Sequence, residues 1–94
     1  MGTPHSTKKR AQLPSNTETL VLTILKEGSK YGLEIVSASD GEITRQEVYV
    51  MLERMISKGL VAREKIGPKR VYFSLTDHGK KMSAAIEAFH RALE

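Results

Sequence analysis

The sequence predicts a mainly α, α+β domain whose elements run α-α-α-β-β-α. Three observations lead to that order. Two capping boxes stand ahead of stretches whose apolar residues recur every three or four positions. After Gly59 the apolar period shortens to two across two short runs, and after Thr76 it lengthens again. Helical and extended segments are distinguished by these periods, because side chains repeat about every 3.6 residues on a helix and every 2 on a strand.

The first helix is announced by Ser15 and Glu18, the N-cap and N3 positions of a capping box. Leu20, Val21, Ile24 and Leu25 follow at helical spacing, and Gly28 is a natural stop. Tyr31 to Ser39 reads as a short second helix with Leu33, Ile35 and Val36 on one broad side, closed by the turn dipeptide Asp40-Gly41. Thr44 and Glu47 form the second capping box, and Ile43 and Val48 stand at the two positions of a hydrophobic staple. Val48, Met51, Leu52, Met55 and Ile56 then carry a third helix over 44–58 to Gly59, with Arg45, Gln46, Tyr49 and Glu53 on its other side. Leu60 to Ile66 and Arg70 to Leu75 are strand-like and are joined by Gly67-Pro68-Lys69, so they read as a hairpin. Thr76 caps a last helix with the stripe Met82, Ala85, Ile86, Phe89 and Leu93.

Composition bounds the function. The 94 residues make one small domain, and the absence of cysteine excludes disulfide scaffolds, thiol redox chemistry and cysteine nucleophiles. No apolar run reaches the ~20 residues of a membrane helix, and the N-terminal stretch lacks the apolar segment of a secretory signal, so the expected location is the cytoplasm. The net charge is +4, but Lys8, Lys9 and Arg10 supply most of it; the rest of the chain has 12 basic against 11 acidic residues. A polyanion must therefore be met by a local patch, with or without help from the arm. Residues 1–14 hold too little apolar surface to offset the entropy of ordering and are read as a disordered basic arm, either solvated or touching DNA through Lys8, Lys9 and Arg10.

Three helices followed by a hairpin is the plan of a winged helix-turn-helix, with the second and third helices joined by a short turn. In that plan the first residues of the recognition helix meet base edges in the major groove. Here they are Thr44, Arg45 and Gln46, with Tyr49 one turn on. An arginine can bond guanine O6 and N7, and a glutamine can bond adenine N6 and N7. Arg63, Lys65, Lys69 and Arg70 gather around the hairpin and suit phosphates, which set register without reading sequence; the same charges would also protect an exposed sheet edge. The domain divides as a basic arm over 1–14, a DNA-binding unit over 15–76 and a C-terminal dimerisation helix over 77–94.

The stretch from Tyr31 to Gly79 resembles the winged-helix domain of PadR-like transcriptional regulators. The matching pieces are Tyr31-Gly32-Leu33-Glu34-Ile35, then Tyr49 to Met55 followed by Lys58-Gly59-Leu60-Val61, then Arg70 to Gly79. The resemblance implies a dimeric DNA-binding regulator, often a repressor, with its last helix in the dimer interface. It also implies that Thr44, Arg45, Gln46 and Tyr49 face DNA and that Lys65, Lys69 and Arg70 lie on the wing. The family commonly has proline directly after the recognition-helix tyrosine, where this chain has Val50, and many members continue with further helices beyond the point where this sequence ends.

Met82, Ile86, Phe89 and Leu93 are spaced four, three and four apart, the seam of a short helix pair, so a homodimer is expected through them. Packing onto the chain's own helices would produce the same stripe. No phosphate loop, H-E-x-x-H, G-x-S-x-G or EF-hand spacing is present, and His90 with Glu87 and Glu94 reads as a charged face, not a metal site. No enzymatic activity, cofactor or metal is expected. The partners are double-stranded DNA and a second copy of the chain, on a palindromic operator, with no small-molecule effector assigned. The rival reading is a winged helix that binds another protein, as an adaptor or an antagonist of another regulator.

Overall fold

The computed structural model describes residues 15–93. Its elements in chain order are α1 (Asn16–Leu25), β1 (Lys30–Tyr31), α2 (Gly32–Ala38), α3 (Arg45–Ser57), β2 (Val61–Ile66), β3 (Arg70–Leu75) and α4 (Asp77–Ala92). The basic arm expected over residues 1–14, with Lys8, Lys9 and Arg10, lies outside the described residues.

The caps are where the sequence signals put them. The Ser15 hydroxyl accepts from the Glu18 amide at 3.2 Å and the Glu18 carboxylate accepts from the Ser15 amide at 3.3 Å. Each box satisfies two amides that a helix start otherwise leaves unpaired. The Thr76 hydroxyl accepts from the Gly79 amide at 2.9 Å and donates to the Gly59 carbonyl at 2.6 Å, so one side chain starts α4 and ties it to the end of α3. Gly79 is required there: a Cβ would stand 2.1 Å from the Leu60 carbonyl oxygen, which is fixed backbone.

The sheet is antiparallel in the order β1–β3–β2, with Val61 opposite Leu75 and Ile66 opposite Arg70 across the hairpin. Gly67 supplies the positive φ of 74° that the hairpin turn requires. The third strand, β1, is the one element the periodicity does not reveal. Two residues carry no period, and they are extended only because Lys30 lies opposite Phe73 and Tyr31 opposite Tyr72.

The core lies where α1, α2, α3 and the inner face of the sheet meet. Val21 and Leu22, Ile35, Ile43, Val48, Leu52 and Met55, Val61 and Phe73 are all buried. Both staple residues, Ile43 and Val48, belong to it. A buried carboxylate, Glu18 on α1, accepts from the Lys58 ammonium at 3.0 and 3.2 Å, which links the start of α1 to the end of α3. A carboxylate out of water needs such a partner, since an unpaired one is strongly destabilising.

Candidate nucleic-acid interface

The turn between α2 and α3 sets where α3 begins. Asp40 and Gly41 take positive φ values of 54° and 90°. The buried Ser39 hydroxyl donates to the Val36 carbonyl at 2.7 Å and accepts from the Ile43 amide at 3.0 Å, so it holds the turn closed from inside. Thr44 then caps α3: its hydroxyl accepts from the Glu47 amide at 3.1 Å, and the Glu47 carboxylate accepts from the Thr44 amide at 3.0 Å. With its cap satisfied internally, the first turn of α3 presents Arg45 and Gln46 to solvent.

Tyr49 points elsewhere. Its ring leans over Gly32 at the start of α2, where an added Cβ would lie 2.6 Å from three of the tyrosine's ring and hydroxyl atoms, and it tilts against Phe73 with ring centroids 6.5 Å apart. Tyr49 thereby lines, together with Lys69 and Arg70 of the wing, a cleft of about 480 Å³.

The wing is braced from β1. Tyr31 and Tyr72 stack with centroids 4.3 Å apart, and their hydroxyls are 2.6 Å apart. The hydrogen bond to Tyr31 pushes the Tyr72 phenol above its ordinary range, because it favours the protonated form. The Arg70 guanidinium donates to the Tyr31 hydroxyl at 3.0 Å and lies 5.9 Å from the centre of its ring. Lys65 and Lys69 are exposed. Arg63 differs from them: its guanidinium donates to the Glu53 carboxylate of α3 at 2.8 Å, so it joins the wing to the helix.

Comparison with known proteins bears on this arrangement of a capped helix beside a braced hairpin. A sequence model of the Transcriptional regulator PadR-like family matches residues 21–85, from within α1 to just past the middle of α4. The chain belongs to that family. Among solved structures it is similar to a PadR family transcription regulator from Clostridium difficile, at 25% identity and a TM-score of 0.74 over 84% of this chain and 91% of that one. It shares its fold with YodB from B. subtilis, at 19% identity and a TM-score of 0.77 over 97% of this chain and 90% of that one. The same holds for RosR from H. salinarum, at 22% identity and a TM-score of 0.77 over 87% and 78%. Among curated proteins, none matches the sequence significantly. The fold is thus that of a PadR-family winged-helix regulator, which supports DNA-binding transcriptional regulation.

In this PadR-like regulator the last helix divides its stripe in two. Met82 and Ile86 are half-buried and pack against the core. Phe89 and Leu93 are 57% and 70% exposed. Between α1 and α4 lies a second concavity, of about 370 Å³, bordered by Asn16, Thr19, Met82, Ala85, Ile86, Phe89 and His90. α4 is pinned to α1 by an ion pair between Lys26 and Glu87. The hydrogen bond and the charge of Lys26 hold the Glu87 carboxyl below the usual glutamate range. Among the described residues no group of three potential ligands could hold a metal ion, and no helix is long and apolar enough to cross a membrane.

Four features that position the site had no reading in the sequence: the Ser39 bridge, the Tyr31–Tyr72 pair, the Arg63–Glu53 tie and the Glu18–Lys58 tie. The last three join residues between 10 and 41 positions apart. Only the Ser39 bridge is local, and a serine ahead of Asp-Gly is the one sign of it.

Proposed function

We propose that this chain is a sequence-specific double-stranded DNA-binding repressor that acts as a homodimer on a palindromic operator. The observation that supports the reading is the cleft that Tyr49 of α3 and Lys69 and Arg70 of the wing line together, as a recognition helix and a basic hairpin acting on one DNA groove require. Arg45 and Gln46, with Thr44 beside them, take the base edges. Lys65, Lys69 and Arg70 take phosphates, and Arg63 serves chiefly as a brace because Glu53 already holds it. Tyr49 stands at the edge of the groove, between base and backbone contacts. The unit over 15–76 reads DNA and the segment over 77–94 pairs two copies, through Phe89 and Leu93 with Met82 and Ile86 behind them. Repression needs nothing beyond occupancy of the operator. The partners are DNA and a second copy, and the working compartment is the cytoplasm.

Selection from a random duplex library at about 0.15 M salt tests the reading. The expected result is enrichment of an inverted repeat with half-sites about 34–36 Å apart or a multiple of that spacing. Recovery of no preferred sequence would reject it and leave the fold to a protein-binding role.

A further inference from the structure

We infer that Val50 is a specificity-determining residue that reads a thymine 5-methyl group in the major groove. The inference rests on the DNA-binding reading above and adds one base to what the site recognises. A lone exposed valine on a protein surface ordinarily requires no explanation, but three observations set this one apart.

The first is its place on the helix. Val48, Met51, Leu52 and Met55 fix the inward side of α3, and Val50 lies on the side turned away from them, 58% exposed. A β-branched side chain there gives up rotamer freedom to the helix without being buried in the core in return. The second is the engagement of its neighbours. Tyr49 leans over Gly32, and the Glu53 carboxylate is held by Arg63. The second turn of α3 therefore offers an outward apolar surface at Val50, beside a tyrosine and a glutamate that are half-exposed and already engaged, the one against Gly32 and the other by Arg63. The third is the row to which it belongs. Gln46, Val50 and Arg54 stand at intervals of four, on one face, and border a single shallow groove with Glu47 and Met51 of α3 and Thr17 of α1. A side chain suited to a base edge thus precedes the valine and an arginine follows it.

The chemistry of the major groove supplies one apolar feature, the thymine methyl; cytosine lacks it, and the other groups on the base edges are hydrogen-bonding. Valine buries that methyl, and it has no polar atom to pair with the rest. The helix rises about 1.5 Å per residue, so Val50 stands roughly 6 Å along the axis from Gln46. Base pairs are spaced by about 3.4 Å, which puts the thymine within about two base pairs of the one that Gln46 reads.

The test uses the full chain and, as probe, the duplex that the library selection enriches. Each thymine of a half-site is replaced in turn by deoxyuridine, which removes the methyl and leaves the hydrogen-bonding edge unchanged, and binding is followed by fluorescence anisotropy. The expected result is a loss of about three- to fivefold, the worth of one buried methyl group, at one thymine. That thymine lies within two base pairs of the position whose preference Gln46→Ala relaxes. Val50→Ala, checked for an unchanged thermal midpoint, loses a similar factor on the thymine duplex and nothing further on the uridine duplex. If every uridine substitution is neutral for the wild-type chain, or if Val50→Ala keeps the full uridine penalty, the assignment of Val50 is overturned while DNA recognition stands. If the library returns no preferred duplex, sequence-specific recognition falls and the inference with it.

Discussion

α3 and α4 both begin at a threonine cap and both lay one side on the same core, yet they offer solvent opposite chemistry. α3 is anchored along its length by Val48, Met51, Leu52 and Met55, and its outward residues are polar apart from Tyr49 and Val50. α4 is anchored as far as Glu87: Gly79 and Ser83 are buried, Met82 and Ile86 half-buried, and Glu87 pairs with Lys26. Beyond that point the stripe continues into water as Phe89 and Leu93. The surface proposed to read DNA thus has its cap, turn and wing all satisfied within one chain. The last turns of α4 have apolar surface that one chain does not cover, and a helix with such a stripe gains by meeting another. On this account one surface is ready before DNA arrives and the other is completed by assembly.

The comparison is broken most severely at α4. Phe89→Asp is expected to leave the fold intact, convert a dimer to a monomer in sedimentation, and weaken operator binding by about a hundredfold or more, since two half-sites would no longer be held together. The wild-type thermal midpoint should rise with protein concentration and that of the variant should not. At α3 the effects are smaller and of another kind. Arg45→Ala and Gln46→Ala should each cost about 1–3 kcal/mol at the selected site and relax base preference there, with folding stability changed by no more than about 0.5 kcal/mol. Competition binding against single-base variants of the site measures the first effect and thermal melting the second.

The wing divides further. Lys69→Ala should weaken binding to all sequences alike and lower the salt slope by about one, as expected when one phosphate is no longer neutralised. Arg63→Ala should lower it by less, because Glu53 already occupies that guanidinium. Equal slopes for the two variants would dissolve the distinction between a brace and a phosphate ligand. The smallest effect belongs to the Lys26–Glu87 pair. Because the Glu87 carboxyl is held below its ordinary value in the folded chain, protonation favours unfolding. Its stabilising contribution is full above the usual glutamate range and is lost as pH falls through the lower, folded value. Both partners are largely exposed, so the contribution is slight. The melting curves of wild type and Glu87→Gln should therefore differ a little near neutrality and converge in acid.

What the sequence made legible was local. Ser15 with Glu18, Thr44 with Glu47, Thr76, and the turn glycines Gly41 and Gly67 each act within a few positions, and helix and strand boundaries fell within a few residues of them. The exposure of Arg45 and Gln46 follows from the same local signals. Other features depend on residues distant in the chain. β1 exists only because β3 lies beside it, and the lean of Tyr49 is decided by the absence of a side chain at Gly32 on another helix. Arg63 reads as one more wing cation until Glu53 is seen opposite. The α4 stripe illustrates the same limit: its spacing is identical whether it packs on the chain's own core or on a partner. The fold uses it for the first as far as Ile86, and leaves Phe89 and Leu93 exposed.

On the proposed function, the start of α3 and the wing tip form one DNA surface, separate from the end of α4. Amide chemical-shift mapping of the labelled chain, titrated with the selected duplex, tests this. The expected shifts are concentrated at residues 44–50 and 65–70, with those of Phe89 to Leu93 unchanged by DNA. Shifts centred on the end of α4, with Arg45 and Gln46 unmoved, would contradict it.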